Sequence, residues 1–328
     1  MNEPIKKIAV LTSGGDAPGM NAAIRAVVRA CTYYRVDCVG IYRGYQGLIE
    51  GDFETLNGRS VSNIINKGGT ILKSARSEEF RTVEGREKAY QNLKEEGVGA
   101  LVIIGGDGTF TGGLIFIQEH NFPVIGIPGT IDNDIYGTDR TIGYDTALNT
   151  VVEVIDKIRD TASSHNRLFF IEVMGRDAGF IALNSGIGAG AEEILIPEKD
   201  LGLDRLVESL KASKDRGKTS SIVVVSEGDK IGKNVFELGD HIKEIFPDYD
   251  IRVSVLGHMQ RGGSPSCYDR VLASRLGVAA VEHLLDRSSG VMVGVTNNKV
   301  TTVGLNKAIK MNNDIDKELL KVAEITSV

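Results

Sequence analysis

Short unbroken apolar runs alternate along the chain with longer stretches in which apolar residues recur every three or four positions. "KKIAVLTSGG" reads as a buried strand ending in glycines, and "MNAAIRAVVRA" as the helix that follows. "GREKAYQNLKEEG" is helical, and "ALVIIGGDG" is a strand running into a glycine turn. "TFTGGLIFIQEH" reads as a helix despite its glycines, and "PVIGIPGT" as another strand. "TALNTVVEVIDKIRD" places Ala147, Leu148, Val151, Val152, Ile155 and Ile158 on one helical face. "RLFFIEVMG", "AEEILIPE", "SSIVVVSEG" and "IRVSVLGH" predict further strands, with helical segments between them. These strands are apolar throughout rather than at alternate positions, the pattern of parallel sheets covered on both faces. The units outnumber one compact sheet. The predicted fold class is therefore α/β, in two lobes, each a mainly parallel sheet covered by helices on both faces. No Pro/Ser-rich linker, short-period repeat or low-complexity tract interrupts the pattern, so closely joined lobes are expected.

Composition narrows the class. The 328 residues accommodate one large or two ordinary domains. The chain is 41% hydrophobic and 25% charged, the balance of an ordinary soluble globular protein. A formal net charge of −6 argues against nucleic-acid binding through a broadly basic face, though not against a local basic pocket. Cys31, Cys38 and Cys267 show no paired spacing, which fits a reducing compartment and buried thiols better than a disulfide framework. No apolar run reaches membrane-spanning length, and "MNEPIKKIAVLTSGG" enters a strand too soon for a signal peptide. A cytoplasmic protein without membrane or nucleic-acid partners is expected.

Candidate chemistry collects where predicted strands end, the place where open parallel sheets bind ligands. In "LTSGGDAPGMNAA", Gly14, Gly15 and Gly19 permit a sharp turn and close approach of a phosphate to the backbone. The stretch matches neither the dinucleotide fingerprint nor the P-loop, and a plain strand-to-helix turn explains it equally well. "IIGGDGTF" is more specific. Gly105, Gly106 and Gly108 surround Asp107 and precede Thr109, combining open amides for polyphosphate with a carboxylate for magnesium. "PVIGIPGTIDNDIYGTD" then gathers Asp132, Asp134 and Asp139 at a strand end. Such residues form ordinary exposed turns, or they handle a proton or a metal, with Asp132 able to accept the proton of an attacking hydroxyl. Arg167, Arg176, Arg252 and Arg261 all fall near strand boundaries, where forked guanidinium groups suit phosphate oxygens. The five histidines lack metal-ligand spacing; His258 stands out through its neighbours Gln260 and Arg261. Neither G-x-S-x-G nor H-E-x-x-H is present, so no common hydrolase motif applies.

Taken in order, "LTSGGDAPGMNAAIR", "IGGDGT", "PGTIDNDI", "EVMGRDAG", "VLGHMQRGGSP" and "DRVLASRLG" resemble bacterial ATP-dependent 6-phosphofructokinases from the first strand to near the C-terminus. The resemblance implies a larger ATP-binding lobe, 1–142 plus about 261–311, and a smaller sugar-phosphate lobe, 143–260 plus about 312–328. It implies magnesium-dependent transfer of the ATP γ-phosphoryl group to the 1-hydroxyl of fructose 6-phosphate. Asp132 would be the base, supported by Thr130 and Asp134, and Arg176 would stabilise charge on the transferring group. Gly15, Arg76, Ser77, Gly106, Asp107, Gly108 and Thr109 would hold ATP, with Asp107 on Mg2+. Thr130, Asp132, Met174, Gly175, Arg176, Glu227, His258 and Arg261 would bind the sugar phosphate, and Arg167 and Arg252 would serve the site of a neighbouring subunit in a homotetramer. Arg25, Arg29, Arg159, Glu192, Arg216 and Lys218 would bind an ADP or phosphoenolpyruvate effector.

Two departures from the family pattern bear on that effector site. Thr219 and Ser220 stand where the family has a lysine and a histidine, and Asn63 replaces a frequent aspartate, so weak or altered effector control is expected. Pyrophosphate-dependent relatives carry an Asp at the second glycine of "GGDG" and a lysine before the "TIDND" threonine. Gly108 and Gly129 therefore favour ATP. NAD kinases and lipid kinases are similar at "GGDGT" but lack the later elements. A non-catalytic sugar-phosphate sensor would lack a base or a metal ligand, and a nicotinamide dehydrogenase would carry the dinucleotide fingerprint.

Overall fold

The computed structural model describes residues 4–162, 167–199, 201–217, 220–232, 234–311 and 313–327. The chain runs β1 (Lys7–Thr12), α1 (Met20–Tyr33), β2 (Asp37–Ile41), α2 (Gly44–Glu50), β3 (Phe53–Leu56), α3 (Val83–Glu95), β4 (Ala100–Gly105), α4 (Asp107–His120) and β5 (Val124–Pro128). It continues through α5 (Tyr144–Ala162), β6 (Arg167–Val173), α6 (Phe180–Gly188), β7 (Glu193–Leu195), α7 (Leu203–Asp215), β8 (Ser220–Ser226), α8 (Val235–Ile245) and β9 (Asp250–Val255). A 3₁₀ turn at Gly257–Arg261 leads to α9 (Cys267–Leu285), β10 (Val291–Thr296), β11 (Lys299–Gly304), α10 (Leu305–Ala308) and α11 (Lys317–Thr326).

Contacts divide the chain into two compact units. The first comprises Met1–Ile131, Ile135–Thr146 and Arg261–Asn313; the second comprises Asp132–Asp134, Ala147–Gln260 and Asp314–Val328. The first holds a seven-stranded sheet ordered β11-β10-β5-β4-β1-β2-β3. Its central strands pair in parallel, while β3 on one edge and β11 on the other run antiparallel to their neighbours. β4 and β5 are buried at every position, as apolar runs covered on both faces must be. On one side of this sheet Leu11, Ile41, Leu101, Ile103, Phe110 and Phe116 share a core. The second unit holds a four-stranded, all-parallel sheet ordered β7-β8-β6-β9, with Phe170, Val223, Val225, Leu238, Ile242 and Phe246 in its core.

Four strands fall outside the apolar runs read as strands: the inner β2 and β10, and the edges β3 and β11. β3 ("FETL") and β11 ("KVTTVG") expose many of their positions, so their sequences carry polar residues. The β10–β11 hairpin turns on Asn297 and Asn298, both at positive φ, the geometry of a two-residue hairpin loop. Three expectations shift in detail. "AEEILIPE" yields only the three-residue edge strand β7. α4 starts at Asp107 rather than Thr109, so the glycine turn is the opening of a helix. Cys267 is exposed, correcting the expectation that the thiols are buried; Cys31 and Cys38 are buried and unbridged.

Candidate functional site

The ends of β1, β4 and β5 lie side by side in the first sheet, which brings their loops together. Ser13 N–H donates to Ile104 O at 3.0 Å, and Thr109 Oγ1 donates to Ser13 O at 3.1 Å. Gly105 is confined at this junction: a Cβ there would come within 2.3 Å of Thr109 Oγ1 and 2.5 Å of Ser13 O. Gly106 caps α4 without a side chain to accept from its first turn, and Asp107 opens the helix exposed to solvent. Above Gly108 a Cβ would meet nothing within 4 Å. Exposed helix-opening amides, a carboxylate and open room are what a polyphosphate with its cation requires. Gly15 packs against the guanidinium of Arg261, which donates to Asp16 O at 3.3 Å. Ser77 Oγ donates to Gln46 Oε1 at 2.8 Å and accepts from Phe80 N–H at 3.2 Å, while Arg76 is exposed.

From β5 the chain passes through Gly129, whose N–H donates to Gly105 O at 3.0 Å, to Thr130 beside Gly106. Thr130 O accepts from Thr141 Oγ1 at 2.6 Å. The next residues decide between an exposed turn and a site. Asp132 is 1% exposed, Asn133 is buried in the left-handed region (φ 55°), and Asp134 is half-buried. A solvated turn does not bury its carboxylate. Asp139 differs: it is exposed, and its Oδ2 accepts from Asn297 N–H at 2.7 Å, fastening the β10–β11 turn. Of the three clustered acids, Asp139 thus serves the hairpin.

Residues 132–134 group with the second unit, where Arg176 Nε stands 3.4 Å from Asp132 Oδ2. Arg176 follows β6 in the left-handed region (φ 52°), a conformation that costs about 1–3 kcal/mol and persists only where its surroundings impose it. They do. Glu227, just after β8, accepts through Oε1 from Gly175 N–H at 3.2 Å and Arg176 N–H at 2.8 Å. Gly228 lies so close that a Cβ would be 2.0 Å from Arg176 O. Gln260, after β9, accepts from Met174 N–H at 3.2 Å. Met174, Gly175, Arg176 and Glu227 therefore meet at the carboxyl ends of neighbouring strands, with Asp132 against them. The nearby Glu172 carboxyl is held above its usual range, first by burial and then by Glu227.

His258 is exposed on the 3₁₀ turn. Arg167 and Arg252 are not brought to this cluster. They sit at the amino end of β6 and early in β9, and both lie against the Asp250 carboxylate, at 3.4 Å and 3.0 Å. Among the effector candidates, Arg25 and Arg29 stand one turn apart on α1; burial first, then Arg29, lowers the Arg25 pKa. Arg159 Nη2 donates to Ala189 O at 2.7 Å and Gly190 O at 2.8 Å, capping the end of α6. Buried Glu192 accepts from Ile222 N–H at 2.6 Å, and Arg216 donates to Ser213 Oγ at 3.3 Å. Lys218 lies outside the described residues. Sequence reading passed over Gln260, noted only as a neighbour of His258; its one signal was a polar side chain among motif residues.

A glycine-rich helix opening with a carboxylate, and a buried aspartate beside an exposed arginine at the ends of parallel strands, are the equipment a phosphotransferase needs. The family model described as "Phosphofructokinase" matches residues 7–284. The chain is 54% identical over 324 residues to "ATP-dependent 6-phosphofructokinase 2" of Bacteroides thetaiotaomicron, covering 99% of both. It is 54% identical over 327 residues to "ATP-dependent 6-phosphofructokinase 1" of Thermus thermophilus, covering 99% of this chain and 100% of that one. Among solved structures it is similar to phosphofructokinase from Saccharomyces cerevisiae, with a TM-score of 0.86 at 37% identity. That match spans 98% of this chain and 47% of the longer yeast one. The chain belongs to the phosphofructokinase family.

Proposed function

We propose that this chain transfers the γ-phosphoryl group of ATP to the 1-hydroxyl of fructose 6-phosphate, giving fructose 1,6-bisphosphate, the committed step of glycolysis. Substrate and donor follow from the relatives, named ATP-dependent 6-phosphofructokinase and matched end to end. The geometric observation that carries the chemistry is the Asp132 carboxylate, 1% exposed and 3.4 Å from Arg176. Burial removes water that would compete for the hydroxyl proton, and the adjacent guanidinium orients the carboxylate that would take it. Thr130 and Asp134 support the base, and Arg176 balances charge on the transferring oxygens.

Gly15, Arg76, Ser77 and the Gly106–Thr109 helix opening would hold ATP, with Asp107 on magnesium. Magnesium keeps several waters and needs only one or two carboxylates beside substrate phosphates, so a single exposed acid at an open helix end fits it. When bound, the ion neutralises phosphate charge. Met174, Gly175, Arg176, Glu227, His258 and Arg261 would contact the sugar phosphate. Arg167 and Arg252, far along the second sheet from Arg176, suit a site completed in a neighbouring copy of a homotetramer. No helix among the described residues is long and apolar enough to cross a membrane.

Formation of fructose 1,6-bisphosphate, measured with ATP and with pyrophosphate at equal magnesium, tests the assignment. ATP should support turnover and pyrophosphate should not; activity with pyrophosphate alone refutes the donor. Asp132→Ser should lower kcat by about 10²–10⁴-fold while ATP still binds. Retained turnover in that variant would remove Asp132 from its role.

A further inference from the structure

Gln260 is 0% exposed and uses both ends of its amide. Oε1 accepts from Met174 N–H at 3.2 Å, and Nε2 donates to Gly257 O at 3.1 Å. The amide orientation is settled by its partners, because a backbone N–H only donates and a carbonyl only accepts. A carboxylate has no donor for Gly257, and a lysine has no acceptor for Met174. The bond also continues a ladder. The β6–β9 backbone pairing closes with Leu256 N–H on Glu172 O at 3.0 Å, and Gln260 then serves the next outward N–H of the β6 strand with a side chain. On the opposite flank, Glu227 takes Gly175 N–H and Arg176 N–H. All three backbone donors of Met174–Gly175–Arg176 thus end on side chains supplied after the two neighbouring strands.

We propose that Gln260 is a positioning residue for phosphoryl transfer. Through Met174 it sets the path of the loop that aims Arg176 at Asp132. Through Gly257 it holds the turn that carries His258. The inference rests on the activity proposed above and adds a residue to it that touches neither substrate. Removing the amide frees the β9-side flank of the loop and leaves its N–H groups held only from the Glu227 side. The loss should fall on the step that depends on Arg176 direction, and so on kcat.

Gln260→Glu keeps the shape and the acceptor but turns an oxygen toward Gly257 O; Gln260→Met removes both polar atoms. In each variant kcat should fall about 10–100-fold, the cost of one or two unsatisfied buried groups, with the KM for ATP within about twofold of wild type. Amide hydrogen exchange in a peptide covering 174–176 should quicken about tenfold or more, while peptides from β8 keep their rates. A purely structural glutamine would instead lower the unfolding midpoint and speed exchange throughout the second unit, with kcat unchanged. Wild-type kcat and wild-type local exchange in either folded variant overturn the inference. If Gln260→Met does not fold, the isosteric Gln260→Glu decides alone. A wild-type chain with no phosphofructokinase activity would overturn the functional reading, and this inference with it; an active wild type with unaffected variants overturns the inference alone.

Discussion

At Gly108 neither packing nor backbone geometry calls for glycine: φ is not positive, and an added Cβ would meet nothing. On the proposed ATP site, the reason for glycine would be the phosphate that approaches the helix opening. Gly108→Asp is therefore expected to fold with stability within about 0.5 kcal/mol of wild type, as surface substitutions do. It should nonetheless raise the KM for ATP by about tenfold or more, because a second carboxylate beside Asp107 repels phosphate oxygens. Thermal unfolding and steady-state kinetics on one preparation check both halves, and an unchanged KM would show that phosphates do not reach this turn. Residue identities at this scale were readable from motifs. What motifs could not show was environment. "TIDND" is spelled like an exposed turn, yet Asp132 is buried beside Arg176, and Asp139 from the same stretch fastens a hairpin.

The inner strands β1, β4, β5, β6 and β8 were legible because their apolar runs are set by cover on both faces, whereas the inner strands β2 and β10 were not singled out. Ala147, Val151 and Ile155 of α5 are buried as the helical face requires. The edge strands β3 and β11 escaped too, since much of their surface meets solvent and their apolar signal is diluted, although the edges β7 and β9 were read. The motif "DRVLASRLG" acquires a physical role at this scale. Asp269, in the first turn of α9, is 0% exposed and reaches the start of α5. Its Oδ1 accepts from Gly143 N–H at 3.0 Å, and its Oδ2 accepts from Thr146 N–H at 2.8 Å and Thr146 Oγ1 at 2.5 Å. Asp269→Ala strands these donors in a dry setting and should cost about 3 kcal/mol or more. Urea unfolding with an unchanged m-value would measure it, and a loss below about 1 kcal/mol would show that water replaces the carboxylate.

The effector question belongs to the whole assembly. Arg159 and Glu192 already have internal work, capping α6 and holding Ile222 N–H, and Thr219 and Ser220 supply no cation. Velocity against fructose 6-phosphate should be close to hyperbolic, and ADP should move half-saturation by less than about fivefold, the lower end of allosteric coupling. A strongly sigmoidal curve relieved by ADP would contradict this. Light scattering should report four copies, the assembly in which Arg167 and Arg252 have a site to serve.

Local order alone determined the α/β class, most of the inner strands and the glycine-rich helix openings. Their cause is short-range: apolar runs seek cover, and glycines permit turns and close approach. Tertiary structure decided which polar residues became buried, that Asp132 was buried beside an arginine, and which glutamine fixed the loop behind it. Those outcomes depend on strand order, which brings together the ends of strands distant in sequence, and no period along a chain encodes that adjacency.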